Sequence, residues 1–111
     1  MKKIPMSSAA AALLRALIAR AGVPRDRILL IQAESTDWRS LTFSGECHRI
    51  ILRAPGPGSR LLVNRFCDGL EEAEFTIAGV IVADIGTCGV PNDESDGSTT
   101  FEIEALTVAE D

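Results

Sequence analysis

Apolar positions along this chain fall into blocks whose spacing changes, and each spacing predicts an element. Leu13, Leu14, Leu17, Ile18 and Ala21 recur at helical intervals and form one broad stripe, predicting a helix from about Ser8 to Ala21. Ser7 or Ser8 can cap its start by accepting an orphan backbone N–H, and Gly22 suits the left-handed residue that closes it. Arg27 to Ala33 is a short, nearly continuous apolar run, read as a strand covered on both faces. Glu34-Ser35-Thr36-Asp37 is turn chemistry. Trp38 to Phe43 reads as a second strand, with Leu41 and Phe43 on one face. Ser44-Gly45 then makes a tight hairpin into a third, Cys47 to Arg53.

Pro55-Gly56-Pro57-Gly58 breaks this meander, and Ser59 can cap a second helix running to about Asp68, with Leu62, Val63, Phe66 and Cys67 inward. Phe75 to Ile85 is a long strand with a bulge expected at Gly79. Thr99 to Val108 is the last strand, and a bend is expected near Ala105, where the alternation changes face. The predicted order is helix-β-β-β-helix-β-β, a single α+β domain spanning 1–111. Its fold class is a two-layer sandwich, an antiparallel five-stranded sheet with two helices on one face. Three of the strands look apolar on both sides, and no third layer remains to cover them. Association with further copies of the chain, as a homodimer or higher homo-oligomer, is therefore expected.

Composition adjusts this picture little. The chain has 111 residues, and 46% hydrophobic with 24% charged residues suits an ordinary globular domain. The absence of Tyr and the single Trp count against a stacking surface for single-stranded nucleic acid. Three cysteines, Cys47, Cys67 and Cys88, are too few and too odd for a disulfide framework, so a reducing, cytoplasmic setting is expected. The first 25 residues hold Lys2, Lys3, Arg15, Arg20 and Arg25 and no acid, which resembles a targeting segment. Arg15 interrupts its apolar run, however, and Gly22 followed by Pro24 ends it as a helix of a folded domain ends. No stretch approaches the ~20 uninterrupted apolar residues of a membrane span.

Charge is divided unevenly. Residues 1–53 hold nine Lys/Arg against four Asp/Glu, a net of +5, and residues 54–111 hold two against twelve, a net of −10. The two halves are expected to neutralise one another in the fold, the sharper reading being one basic or acidic face. Nucleic-acid binding is disfavoured by the overall charge of −5 and by the lack of a basic strand interleaved with aromatics.

Candidate chemistry is sparse. Cys47-His48 resembles half a metal site, but adjacent strand residues point to opposite faces, and no Cys-x-x-Cys accompanies them. Asn92 to Gly97 begins like a calcium loop, yet the twelfth position is Ile103, where a bidentate Glu is needed, so the segment reads as a solvated turn. The turn before the second helix offers a generic anion site from Arg53, Gly58, Ser59 and Arg60. Cys88, in Gly86-Thr87-Cys88-Gly89, is a weak nucleophile candidate, with His48, the sole imidazole, its only possible base. No metal or cofactor is expected. Residues 86–98 form a long connection, where a site would first be sought. The leading functional reading is a non-catalytic, homo-oligomeric domain that binds a protein partner or a small ligand such as an anion. The alternative is a small enzyme or ligand-sensing subunit acting through the 86–98 loop.

Overall fold

Helix α1, Ser8–Ala21, begins where the polar residues before it can cap it. The Ser7 hydroxyl accepts the Ala10 N–H at 3.1 Å, and Gly22, at φ +66°, closes the helix by donating to Ile18 and Ala19 carbonyls. The computed structural model describes residues 4–110; Lys2 and Lys3 of the basic start lie outside them. The remaining elements are β1 (Leu29–Arg39), β2 (Ser44–Ala54), α2 (Ser59–Cys67), β3 (Val80–Thr87), β4 (Asn92–Asp93) and β5 (Thr99–Ala109), with one-turn 3-10 helices at Arg25–Arg27 and Leu70–Glu72. The strands form an antiparallel sheet in the order β1-β2-β5-β3, and β4 continues the β3 side of β5. Two helices on a five-stranded antiparallel sheet make the α+β sandwich that the pattern predicts.

The five strands are apportioned differently from the expectation, as helix-β-β-helix-β-β-β. Glu34 to Asp37 is not a turn but the centre of the continuous strand β1, paired residue by residue with Arg49 to Glu46 of β2. Cross-strand pairing overrides turn preference here because Ser35 finds a side-chain partner across the sheet instead of bonding its own backbone. The hairpin turns at Ser40–Phe43, where the Ser40 hydroxyl accepts the N–H groups of Thr42 and Phe43. Leu41 and Phe43, expected on one face of a strand, stand exposed at the hairpin tip instead. Gly45 lies inside β2, where any side chain would run into the Thr107 carbonyl and the Trp38 ring. Residues 75–79 precede β3 without joining it. The β3 irregularity falls between Val82 and Asp84, and β5 keeps its alternation through Ala105.

That alternation defines the two faces. His48, Ile50, Leu52 and Ala54 of β2 stand beside Ala105, Ile103, Phe101 and Thr99 of β5, and all eight are buried. Leu13 and Leu17 of α1, with Val63 and Phe66 of α2, cover them to make one continuous core. The Phe66 ring meets Phe101 edge to face, centroids 5.2 Å apart. On the reverse face the intervening residues remain partly or fully exposed: Cys47, Arg49, Ile51 and Arg53 of β2, with Thr100, Glu102, Glu104 and Leu106 of β5. Among the described residues, no helix is long and apolar enough to cross a membrane.

Candidate functional site

Cys47 and His48 point to opposite faces, as their adjacency in a strand requires. His48 is 3% exposed, on the helix-covered face. Its Nδ1 lies 2.7 Å from the Ser35 hydroxyl and its Nε2 2.8 Å from the Thr107 hydroxyl. The Ser7 hydroxyl, at 3.4 Å, extends this chain to the cap of α1, and Thr107 reaches the Glu46 carbonyl at 3.5 Å. One direction satisfies every member: Ser7 donates to Ser35, Ser35 to Nδ1, Nε2–H to Thr107 and Thr107 to Glu46. The neutral ring with its proton on Nε2 is therefore the form that fits. Burial lowers the His48 pKa, and the Glu46 charge opposes that only in part. Sequence reasoning missed this relay because Ser35 and Thr107 lie 13 and 59 residues from His48.

Cys88 stands on the opposite, open face, so the structure does not bring it to His48. Its N–H donates to the Glu102 carbonyl at 2.9 Å, and its thiol meets the carboxylates of Glu102 and Glu104. Those acceptors, Glu102 first, push its pKa up to about 11, the reverse of what a nucleophile needs. The three donor atoms lie within 4.8 Å of one another. Glu102, however, is already gripped by Arg49, whose Nε and Nη2 donate to its two oxygens at 2.8 and 3.1 Å. A metal there would compete with that bidentate pair and would find only Cys88 and Glu104 beside it.

Of the anion-site residues, Gly58, Ser59 and Arg60 adjoin at the start of α2, where the Ser59 hydroxyl and the Arg60 guanidinium are engaged by the chain itself, whereas Arg53 is not brought to them. Gly58, at φ +80°, precedes α2, and Ser59 turns inward, donating to the Gly97 carbonyl and bonding the Thr99 hydroxyl. Arg60 pairs with Asp93 at 2.9 Å, which holds that carboxyl below the usual range. Arg53 lies on the open face, its Nε buried without a partner, and its charge reaches Asp96. The second half of the 86–98 connection is thus tied down over the start of α2: β4 pairs with β5, Glu94 N–H donates to Ser98, and Ser98 is buried. Asp93 thus takes the position beside Arg60 that an external anion would occupy.

The open face holds a shallow depression of about 880 Å³. Glu34 of β1, Asp84 of β3, Glu104 of β5 and Glu71 from the 3-10 turn line it, beside Thr36, Cys47 and Leu106. Arg49 is the only cation on this lining, and it is paired with Glu102. Gly86 leaves room for Glu71 to reach over the edge of β3; a Cβ there would touch the Glu71 side chain at 3.4 Å. Sheet register, which no local signal reveals, assembles these four acids from positions far apart in sequence. No protein-family model, curated protein or solved structure matches the chain.

Proposed function

We propose that this chain is a non-catalytic binding domain that holds a basic, extended segment of a partner protein against the open face of its sheet. One observation carries the reading: four carboxylates converge on a depression whose only guanidinium is already neutralised. Such a surface attracts Lys and Arg from a distance and repels acidic chains, so it selects a partner by charge before contact. Leu106 on the lining and half-buried Ile51 nearby supply apolar surface on which the stems of Lys and Arg can rest. A non-catalytic role is supported by the chemistry of the two reactive groups. His48 is enclosed by Ser35 and Thr107 on the other face, and the Cys88 thiol is held protonated by its acidic neighbours. Three unpaired thiols support a reducing, cytoplasmic setting.

Fluorescence anisotropy with a labelled peptide of alternating Lys and Leu tests the reading, with a Glu/Leu peptide as its counterpart. The basic peptide should bind, more weakly as salt rises, and the acidic one should not. Reversing two exposed acids, Glu34→Lys with Glu104→Lys, should weaken binding about tenfold, since exposed charge pairs contribute about 0.2–1 kcal/mol each and reversal adds repulsion. Equal binding of both peptides, or indifference to the reversals, would overturn it.

A further inference from the structure

The apolar stripe of α1 is wider than its contact with the sheet. Leu13, Leu17 and Ala21 are buried, whereas Leu14 and Ile18 on the flank stay half-buried. Facing them are Ile28 and, at the start of β1, Leu30. A groove of about 400 Å³ lies between, and Arg15, Ala19 and Arg25 complete its lining. The four apolar walls belong to the core or pack against it, so the groove exists before anything enters it.

Its lining holds two guanidiniums and no carboxylate, in a chain of net charge −5 whose open-face depression is acidic. Other arginines are engaged by the fold. Arg20, Arg27 and Arg65 are bonded to backbone carbonyls, and Arg49 and Arg60 to carboxylates. Among the described residues, Arg15 and Arg25 have neither an ion pair nor a side-chain hydrogen bond. An apolar trough bordered by two unpaired cations is complementary to an anion that carries its own apolar tail.

We infer that this groove binds a small amphipathic carboxylate, its aliphatic chain against Leu14, Ile18, Ile28 and Leu30 and its anionic head at Arg15 and Arg25. A carboxylate matches the planar fork of a guanidinium, and the walls take the tail out of water. Volume fixes the class of occupant. Small-molecule sites hold about 300–1,000 Å³, and one turn of a partner helix, about 10 Å across, would by itself fill this one. At about 30 Å³ for each water-sized group, the groove takes roughly a dozen non-hydrogen atoms, the size of octanoate or decanoate. The groove lies on the helix side of the sheet, so this inference stands or falls independently of the basic partner proposed for the open face.

Amide NMR titration of the full chain with monomeric decanoate at neutral pH tests it. Saturable shifts are expected in α1 and in residues 25–30, and not on the open face. Each CH₂ added between hexanoate and decanoate should tighten binding about two- to fourfold, the upper figure corresponding to full burial. Arg15→Gln with Arg25→Gln alters only exposed side chains, so the circular dichroism should be unchanged while decanoate binds about tenfold more weakly. Ala19→Phe, at an exposed position on the lining, should obstruct the groove and weaken binding with the helix intact. Decyltrimethylammonium, with the same tail and the opposite charge, should not bind. Absence of saturable shifts with decanoate would overturn the inference. So would equal binding of the cationic amphiphile, indifference to the arginine changes, or binding only to vesicles of phosphatidylcholine and phosphatidylglycerol, which would make the groove a membrane contact instead.

Discussion

Replacing Leu17 by Ala removes three carbons, Cγ and both Cδ methyl groups, from the centre of the contact between α1 and the sheet. Leu17 is 1% exposed, and the buried residues Leu13 and Ala21 flank it on the same stripe of the helix. Leu→Ala changes at buried sites cost about 2–5 kcal/mol, the spread depending on how far the surroundings can collapse. Here one wall is a sheet held by backbone bonds on both sides of β2 and β5, which cannot close readily on a void beneath a helix. The upper half of the range, about 3–5 kcal/mol, is therefore expected. Against a total of about 5–15 kcal/mol for an ordinary domain, that removes a large share of the stability. At about 4 °C per kcal/mol for a chain of this size, the thermal midpoint should fall by roughly 12–20 °C. Urea unfolding followed by circular dichroism measures the change, with Leu61→Ala, at 76% exposure on α2, as the control. The control should move by no more than about 0.5 kcal/mol. A Leu17→Ala loss as small as the control's would mean that α1 contributes little to the core, contrary to its four buried residues.

The remaining predictions concern titration and reactivity. Because burial lowers the His48 pKa, the unfolded chain binds more protons once pH falls to about 6.5 or below. The stability tied to this residue is complete above that value and declines as pH falls through it towards the folded pKa. Urea midpoints at pH 5.5 and 7.5 should differ in the wild type and less so in His48→Gln; equal differences would exclude His48 as the source. Cys88 should alkylate slowly with iodoacetamide at pH 8, since Glu102 and Glu104 raise its pKa to about 11. Glu104→Gln should speed that reaction at Cys88, as followed by peptide mass spectrometry, and an unchanged rate would remove the carboxylates as its cause.

The helices were legible because their signals are local. Ser7 and Gly22 bound α1, and the inward residues of both helices recur at helical spacing. The strand boundaries were less so, since each depends on a partner far along the chain. Glu34 to Asp37 carries turn residues, and its strand conformation comes from pairing with β2, which also gives Ser35 its bond to His48. Ser44-Gly45 has the composition of a turn, but Gly45 is needed where the backbone of Thr107 passes too close for a side chain. Ser59 resembles a cap by sequence, and its hydroxyl is drawn instead to Gly97 and Thr99, which only the folded 86–98 connection brings near.

The open face was harder still, because its composition turns on one residue. Val82 of β3 stands opposite Thr107, and Asp84 stands opposite Leu106, so Ala83 is the extra residue of a bulge. Were the pairing regular there, every later residue of β3 would move to the other side of the sheet. Ile85 would leave the core for solvent, while Asp84 and Cys88 would be driven against the helices, two polar groups in an apolar layer without partners. The bulge resolves this by placing Ile85 beside Ala105 in the core and Asp84 beside Leu106 outside. It also aligns Cys88 with Glu102 on the open side. A bulge expected at Gly79 lies before the first residue of β3 and cannot shift these positions relative to β5. The burial of Ile85 is therefore what selects the bulge. The bulge in turn gathers Asp84 with Glu34, Glu71 and Glu104 into one acidic surface.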